Sequence, residues 1–380
     1  MKSIYYWSPC LTRIGTYTST INSAVSIARY SKGQYSVKII NICGEWDSDA
    51  NYLNKNGVEV VNLGFNYFKY LPKTGFVKTR ISYLIIIFLS IIPYLRLIIK
   101  KRPDFLIIHL LTSLPLLICN LMKSHTKIIL RISGFPKINF LRKFIWKTSS
   151  KNIFKVTCPT KELKYQLTQN KIFNDYKLAF LPDPIIKVSN FKKKINFPLE
   201  KKRKYFISVG RLTNQKNFRY LINEFSKFLN ISLDYDLYIF GSGEEKNNLK
   251  SQIIKKGLES KVFLMGFSTN INQYMKRAEA FVLSSLWEDP GFVLIEAAMN
   301  NLFIISSDCK NGPKEFLDNG KGGFLFDSNK KDALLNSLIR FQSLDKNLDM
   351  NNYKLIAKKN CKNYTLLRHF KIMDLELLRN

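Results

Sequence analysis

The sequence is short of acidic residues, holds no close pair of cysteines and opens without a long apolar run. Its six cysteines, Cys10, Cys43, Cys119, Cys158, Cys309 and Cys361, are scattered, with no C-x-x-C among them. That pattern excludes a disulfide framework and a structural zinc site, and it fits free thiols in a reducing compartment. The opening MKSIYYWSPC carries no signal-peptide pattern, so a cytoplasmic location is the default expectation. Only 28 acidic residues stand against 60 basic ones, a net charge of +32. Such an excess implies an anionic partner: nucleic acid, an anionic membrane, or nucleotide and lipid phosphates. No short repeat or low-complexity tract appears beyond the lysine clusters. A single segment raises the question of a membrane span, Ile81 to Leu95. It is uncharged, but it is shorter than the ~20 residues a span needs, contains Pro93 and is flanked by Arg80 and Arg96. A buried or interfacial helix is expected there.

What the chain does have is apolar mass. With 380 residues, 46% of them hydrophobic and 13% aromatic, it can bury a large core and is expected to form two domains. Short β-like runs alternate with helix-length segments throughout. In the first half the strands fall at Ser3 to Trp7, Val37 to Cys43, Val58 to Val61, Phe105 to His109, Lys127 to Ile132, Lys155 to Cys158 and Leu178 to Leu181. The alternation breaks at the basic stretch ending in Lys204 and restarts at Tyr205. This predicts two α/β domains with parallel sheets: 1–187, a linker at 188–204, and 205–355. A final helix over 356–380 is expected to return to the first domain. Two doubly wound domains facing one another would place a ligand at the carboxyl ends of their strands.

Residues suited to phosphate and sugar chemistry cluster in the second half. The stretch YFISVGRLTNQKN is a strand closed by Gly210, whose lack of a side chain allows a sharp turn. Arg211 and Lys216 follow before the helix begins. A planar guanidinium and a mobile ammonium on one loop can converge on a diphosphate. In FVLSSLWEDPGFVLIEAA a buried strand, a loop with Pro290 and Gly291, and a helix start follow one another. Glu288 then lies on the loop and Glu296 about a turn and a half inside the helix. The free amides at that helix start form an anion site, with carboxylates on either side to accept hydrogen bonds from sugar hydroxyls. An ordinary strand-turn-helix with solvated glutamates is the plainer alternative.

Four motifs, VGRLTNQKN, IFGSGEEKNNL, VFLMGF and SSLWEDPGFVLIEAA, occur in this order. Over most of Tyr205 to Phe326 the chain thereby resembles the second domain of glycosyltransferase family 4, retaining enzymes of the GT-B fold. Glu288 and Glu296, with seven residues between them, match that family's E-x7-E element. The resemblance implies that Arg211 and Lys216 hold the diphosphate of a nucleotide-sugar donor, that Glu288 contacts the transferred sugar and that Glu296 binds the ribose hydroxyls. It further implies that the amides of Gly291, Phe292 and Val293 approach sugar and phosphate, and that Gly266 and Phe267 lie beside the nucleobase. In the first domain His109 matches a histidine facing the donor sugar, although a packed, hydrogen-bonded histidine is the alternative. Gly15 matches a small-residue loop beneath the phosphates. Arg131 and Ser133 are candidates for the acceptor side.

Two D-x-D triplets, Asp47-Ser48-Asp49 and Asp234-Tyr235-Asp236, lack the sheet context of a metal site and are read as chance. Arg211 and Lys216 would take the metal's place, so no metal or other cofactor is expected. The expected reaction is retaining transfer from a nucleotide-diphosphate sugar to a polyprenyl-diphosphate-linked or other glycan acceptor in surface-polysaccharide assembly. Cations beside aromatics in Leu63 to Lys73 and Leu141 to Lys147 suit an anionic membrane surface, specifically the inner face of the cytoplasmic membrane. For the second segment, Leu141, Phe144 and Ile145 forming an ordinary core face is equally consistent. The competing classes are a non-catalytic nucleic-acid binder, for which no zinc spacing or RNA-binding aromatic signature is visible, and a phosphorylase or epimerase on the same fold.

Overall fold

A computed structural model describes residues 1–13, 15–73, 75–122, 124–136, 138–186, 203–345 and 348–379. The chain divides into two compact units, Met1–Ile185 with Tyr364–Asn380, and Ile186–Asn363. Residues 188–202 of the expected linker lie outside the described residues. Lys204, placed at its end, instead opens a strand.

The first unit runs β1 (Lys2–Trp7), α1 (Gly15–Tyr30), β2 (Tyr35–Asn41), α2 (Ala50–Lys55), β3 (Val58–Asn62), α3 (Phe76–Lys101), β4 (Phe105–Ile108), α4 (Ser113–Leu121), β5 (Lys127–Arg131), α5 (Phe140–Ser149), β6 (Ile153–Cys158), α6 (Lys161–Gln169) and β7 (Leu178–Phe180). Its strands are all parallel, in the order β3-β2-β1-β4-β5-β6-β7. Covered on both faces, such strands read as apolar runs rather than alternations. All four residues of β4, Phe-Leu-Ile-Ile, are buried. The order reverses between β1 and β4, which opens a crevice at their carboxyl ends. The loop before Gly15 and His109 both leave the sheet at this point.

The second unit contains β8 (Lys204–Val209), α7 (Phe218–Leu229), β9 (Tyr235–Phe240), α8 (Lys246–Lys255), β10 (Val262–Gly266), α9 (Ile271–Arg277), β11 (Ala280–Leu283), α10 (Phe292–Met299), β12 (Phe303–Ser307), α11 (Pro313–Phe316), β13 (Phe324–Phe326), α12 (Ala333–Gln342) and α13 (Asp349–Asn360). The parallel order is β10-β9-β8-β11-β12-β13, and the reversal lies between β8 and β11. Gly210 follows one of these strands and the Ser284–Glu288 loop follows the other. An aromatic cluster fixes β8 beneath α7 and α12: Phe206 stacks on Tyr235 at 4.8 Å and meets Phe225, Phe228 and Phe341 edge-on. Each such ring contributes on the order of 2 kcal/mol by leaving water.

The last helix, α14 (Leu366–Met373), packs on α1 of the first unit. Leu366, Met373, Leu377 and Leu378 share a core with Ile21, Ala24 and Val25. His369 is fully buried, with Nδ1 2.9 Å from the Pro182 carbonyl and Nε2 2.8 Å from Ser23 Oγ. A carbonyl only accepts, so Nδ1 carries the proton and Nε2 accepts from the serine. The return begins at Tyr364 rather than at the expected 356. Positions 356–363 stay with the second unit because Ala357 and Cys361 are buried there, the Cys361 thiol lying 3.7 Å from the Ile295 carbonyl.

The apolar segment also departs from expectation. Its helix, α3, spans 26 residues, not the fifteen that the uncharged run suggests, and is long and apolar enough to cross a membrane. Pro93 sits inside it without ending it. One face, with Ile86, Tyr94, Leu97 and Ile98, is buried in the first unit's core. The opposite face exposes Val77, Ile81, Leu84, Phe88, Ile92 and Ile99, spaced three, four and seven residues apart.

Candidate active site

In the second unit, backbone approaches that only glycine permits hold the β8 and β9 loops together. A Cβ on Gly241 would stand 1.9 Å from the Gly210 carbonyl oxygen, and one on Gly243 would stand 2.3 Å from that of Leu212. The amides of Gly210 and Leu212 donate to Phe240 and Ser242. This lattice fixes the Gly210–Arg211 turn, and the lysine stem of Lys216 lies against Gly210, where a Cβ would meet it at 3.0 Å.

Lys216 Nζ reaches Glu288 Oε1 at 2.5 Å, and Ser285 Oγ donates to the same oxygen at 2.5 Å. The Ser284 hydroxyl donates to the Lys216 carbonyl at 2.8 Å, and the Leu286 amide donates to the Gln215 carbonyl, so the two loops are joined along their length. Glu288 is buried. The Asp289–Pro290 peptide is cis, Gly291 follows in the left-handed region at φ 87°, and its α-carbon abuts Glu288, a Cβ there standing 3.4 Å from Glu288 Cγ. Gly291 is the N-cap of α10 and has no side chain with which to cap it. The Leu294 amide turns back to the Gly291 carbonyl at 3.0 Å, and the Phe292 and Val293 amides lie in the first turn, where a helix start favours an anion. Gly312 supports the loop from the β12 side, where a Cβ would strike the Pro290 carbonyl at 2.1 Å.

Other expected donor residues occupy the same edge of the sheet. Arg211 is exposed. Gly266 ends β10 at φ 71° and its carbonyl accepts from the Gly241 amide, while Phe267 is 80% exposed. Glu296 sits on α10, and burial pushes its carboxyl up to about 7.

In the first unit, His109, Arg131, Ser133 and Thr16, the neighbour of Gly15, line one cavity of about 410 Å³. His109 is buried, with Nδ1 3.3 Å from Thr20 Oγ1 and Nε2 bonded to Ser133 Oγ. Burial first, and the Arg131 charge second, hold its pKa well below 6.5, so the imidazole is neutral. Arg131 is buried too, and its guanidinium is engaged by the Asp183 carboxylate and the Ser19 hydroxyl. Arg131 thus reaches the cavity with its charge already matched, a partner the sequence had not indicated because Asp183 lies 52 positions away.

The α5 segment does not form a simple core face. Ile145 and Trp146 are buried while Phe140, Leu141 and Phe144 are exposed, because the helix meets α4 along only one edge. Neither D-x-D triplet offers a free carboxylate pair. Asp47 accepts from Asn41 and Asn66, Asp49 pairs with Arg13, and Asp236 is buried in β9 beside Arg203 at 3.6 Å. Sequence reasoning missed Ser285, Gly241, Gly243 and Gly312. Nothing in the G-S-G or N-G-P strings tells which backbone comes close.

Residues 189–358 match the family described as glycosyl transferases group 1. An uncharacterized glycosyltransferase of Methanocaldococcus jannaschii is 31% identical over 244 residues, 59% of this chain and 60% of that protein. A UDP-Gal:alpha-D-GlcNAc-diphosphoundecaprenol alpha-1,3-galactosyltransferase of Escherichia coli is 34% identical over 184 residues, 47% of this chain and 45% of that protein. The chain therefore spans less than two thirds of either relative. The crystal structure of a glycosyltransferase from Rickettsia africae superposes with a TM-score of 0.75 at 16% identity, covering 99% of this chain and 97% of that one. The two parallel sheets are accordingly those of the GT-B fold, and the segment 189–358 matches the glycosyl transferases group 1 family in a chain that resembles glycosyltransferases of polysaccharide assembly.

Proposed function

We propose that the chain is a retaining glycosyltransferase that moves a sugar from a nucleotide-diphosphate donor to a lipid-linked glycan acceptor. The observation that carries this is the Lys216–Glu288 pair, set over Gly210 and against the uncapped start of α10, inside the segment that matches the family. The donor's diphosphate accepts from Arg211, from the remaining Lys216 protons and from the α10 amides. Glu296 accepts from the ribose hydroxyls, and Gly266 and Phe267 border the base. Glu288 accepts from a hydroxyl of the sugar being transferred. The bond from the anomeric carbon to the diphosphate oxygen breaks, and the acceptor hydroxyl attacks from the same face. Its proton passes to the departing diphosphate. Fixed cations and amides stabilise that developing charge, and no metal is required.

A lipid-linked acceptor is supported by the Escherichia coli relative, which is named for a diphosphoundecaprenol substrate. The outward apolar stripe of α3, flanked by Lys78, Arg80, Arg96, Lys100 and Lys101, supports docking on the cytoplasmic face of an anionic membrane.

The test is incubation of the purified protein with a panel of nucleotide sugars and a polyprenyl-diphosphate sugar, with and without chelator. Transfer with an unchanged anomeric configuration and full rate in chelator is the expected result. No turnover of any donor would sink the proposal, an inverted linkage its retaining part, and strict manganese dependence the metal-free part. Failure to co-sediment with anionic vesicles at low salt would remove the membrane part.

A further inference from the structure

We propose that the cavity between the turn after β3 and the last turns of α3 is a headgroup site for an anionic phospholipid, whose phosphate Arg96, Lys100 and Lys101 hold. This rests on the membrane-docking reading and deepens it by giving the lipid's headgroup a place and ligands. At about 320 Å³ the cavity is of a size for a glycerophosphate head.

Its charged lining is of one sign. Arg96, Lys100 and Lys101 stand on the last two turns of α3, and no carboxylate is among the lining residues. Among the described residues, none of these three side chains makes an ion pair or a hydrogen bond. Arg96 and Lys100 are one turn apart on the same side of the helix, an arrangement of like charges that opposes itself until an anion sits between them. The carbonyl end of α3 contributes about half a unit of negative charge against these three positive ones, so the cavity still attracts a phosphate.

The other wall comes from the turn after β3. Gly64 stands there at φ 95°, with open space where a Cβ would lie, and the Gly64 and Phe65 amides bond to no described residue. A phosphate can approach such a turn closely. Apolar surface adjoins the cations: Ile92 lies one turn before Arg96 and Ile99 three residues after it, 60% and 54% exposed, and Phe65 is 47% exposed. The exposed stripe continues back along α3 through Phe88 and Leu84. A soluble phosphate leaves that surface in water, whereas a phosphate carrying acyl chains covers it. A second copy of the chain would set cations against cations across a two-fold axis, so a lipid is the occupant that complements this face.

The experiment is calorimetric titration of the full chain with dihexanoyl phosphatidylglycerol below its micelle concentration, beside dihexanoyl phosphatidylcholine and glycerol phosphate. The phosphatidylglycerol is expected to bind saturably. The zwitterionic lipid and the chainless phosphate should each bind at least about tenfold more weakly, for want of a charged hydrogen bond in the first and of buried methylenes in the second. Arg96→Gln with Lys100→Gln should weaken phosphatidylglycerol at least about tenfold. Lys55→Gln with Lys151→Gln, which removes equal charge from exposed positions outside the cavity, should leave it unchanged. Phe65→Ser should weaken the lipid and not glycerol phosphate. Parent-like binding by the Arg96 and Lys100 double variant, with a preserved melting temperature, overturns the site. Equal losses in the two double variants do so too, since they show general charge attraction. Choline lipid binding as tightly overturns the anion, and glycerol phosphate binding as tightly overturns the lipid. A dimer in sedimentation that the lipid does not disperse puts a second copy on this face and overturns the proposal. These readouts need neither turnover nor a bilayer, so their failure is separable from failure of the transferase assay and of vesicle co-sedimentation.

Discussion

Lys216 Nζ lies 2.5 Å from Glu288 Oε1, and both side chains are almost wholly removed from solvent, at 12% and 5% exposure. The pair joins the loop after β8 to the loop after β11, at the point where the second sheet's strand order reverses. Removing one partner leaves a buried charge unmatched. Lys216→Ala is therefore expected to lose about 3 kcal/mol of stability along with about a hundredfold or more in turnover. The double change Lys216→Met with Glu288→Leu should recover most of the stability and none of the activity. Denaturant melts and donor turnover on the three proteins measure this, and an active double variant would contradict the assigned role.

Arg211 gives the complementary case. It is exposed, so its replacement costs the fold little while taking a diphosphate ligand away. Arg211→Ala is expected to melt within a degree or two of the parent and to turn over donor about a hundredfold more slowly. Wild-type turnover in this variant would remove Arg211 from the site.

Glu296 makes donor binding pH-dependent. Burial raises its carboxyl to about 7, and the ionised form is the better acceptor for two ribose hydroxyls. UDP affinity should rise between pH 6 and 8, by no more than about tenfold per pH unit, since one proton is released. In the free protein the sign is opposite: the folded state holds the proton more tightly than the unfolded chain, so this group's contribution to stability is present at low pH and lost as pH rises through about 7. Glu296→Gln should flatten both profiles. Titrations at several pH values check the first, and thermal melts the second.

The tail anchor at His369 is acid-sensitive. Burial first, then the Arg131 charge, depress its pKa to about 3 against an ordinary value near 6.5. Its contribution to stability is whole above pH 6.5 and is lost as pH falls toward 3, because the unfolded chain takes up the proton first. His369→Gln should lower stability at pH 7 and shallow the acid limb. His109, held neutral in the same unit, adds to that limb, so the slope should decrease without vanishing. An acid limb identical to the parent's would show that the His369 contacts do not govern it.

The strand-turn-helix around Glu288 was legible in the sequence because its signals are local. Apolar runs, a Pro-Gly break and helical spacing each act within a few residues, and they place Glu288 on a loop and Glu296 on a helix whatever else the chain does. The length of α3 was not legible: Lys78, Arg80 and the residues after Leu95 made the apolar run look short, whereas helix propagation continues through charged residues that project into solvent. Spacing puts Leu141, Phe144 and Ile145 on one face of α5, but which side of the helix is covered depends on where α4 lies.

By itself the amino-acid order determined the alternation of strands and helices, the parallel sheets this implies, and the identity of the charged and small residues at the strand ends. Those follow from periodicity and backbone sterics, which are short-range. Only the tertiary structure decided that Lys216 finds Glu288, that Asp183 matches Arg131, and that Gly241 and Gly312 must lack side chains. Each of these depends on segments distant in the chain being brought within a few ångströms, which strand order and packing dictate and local sequence does not.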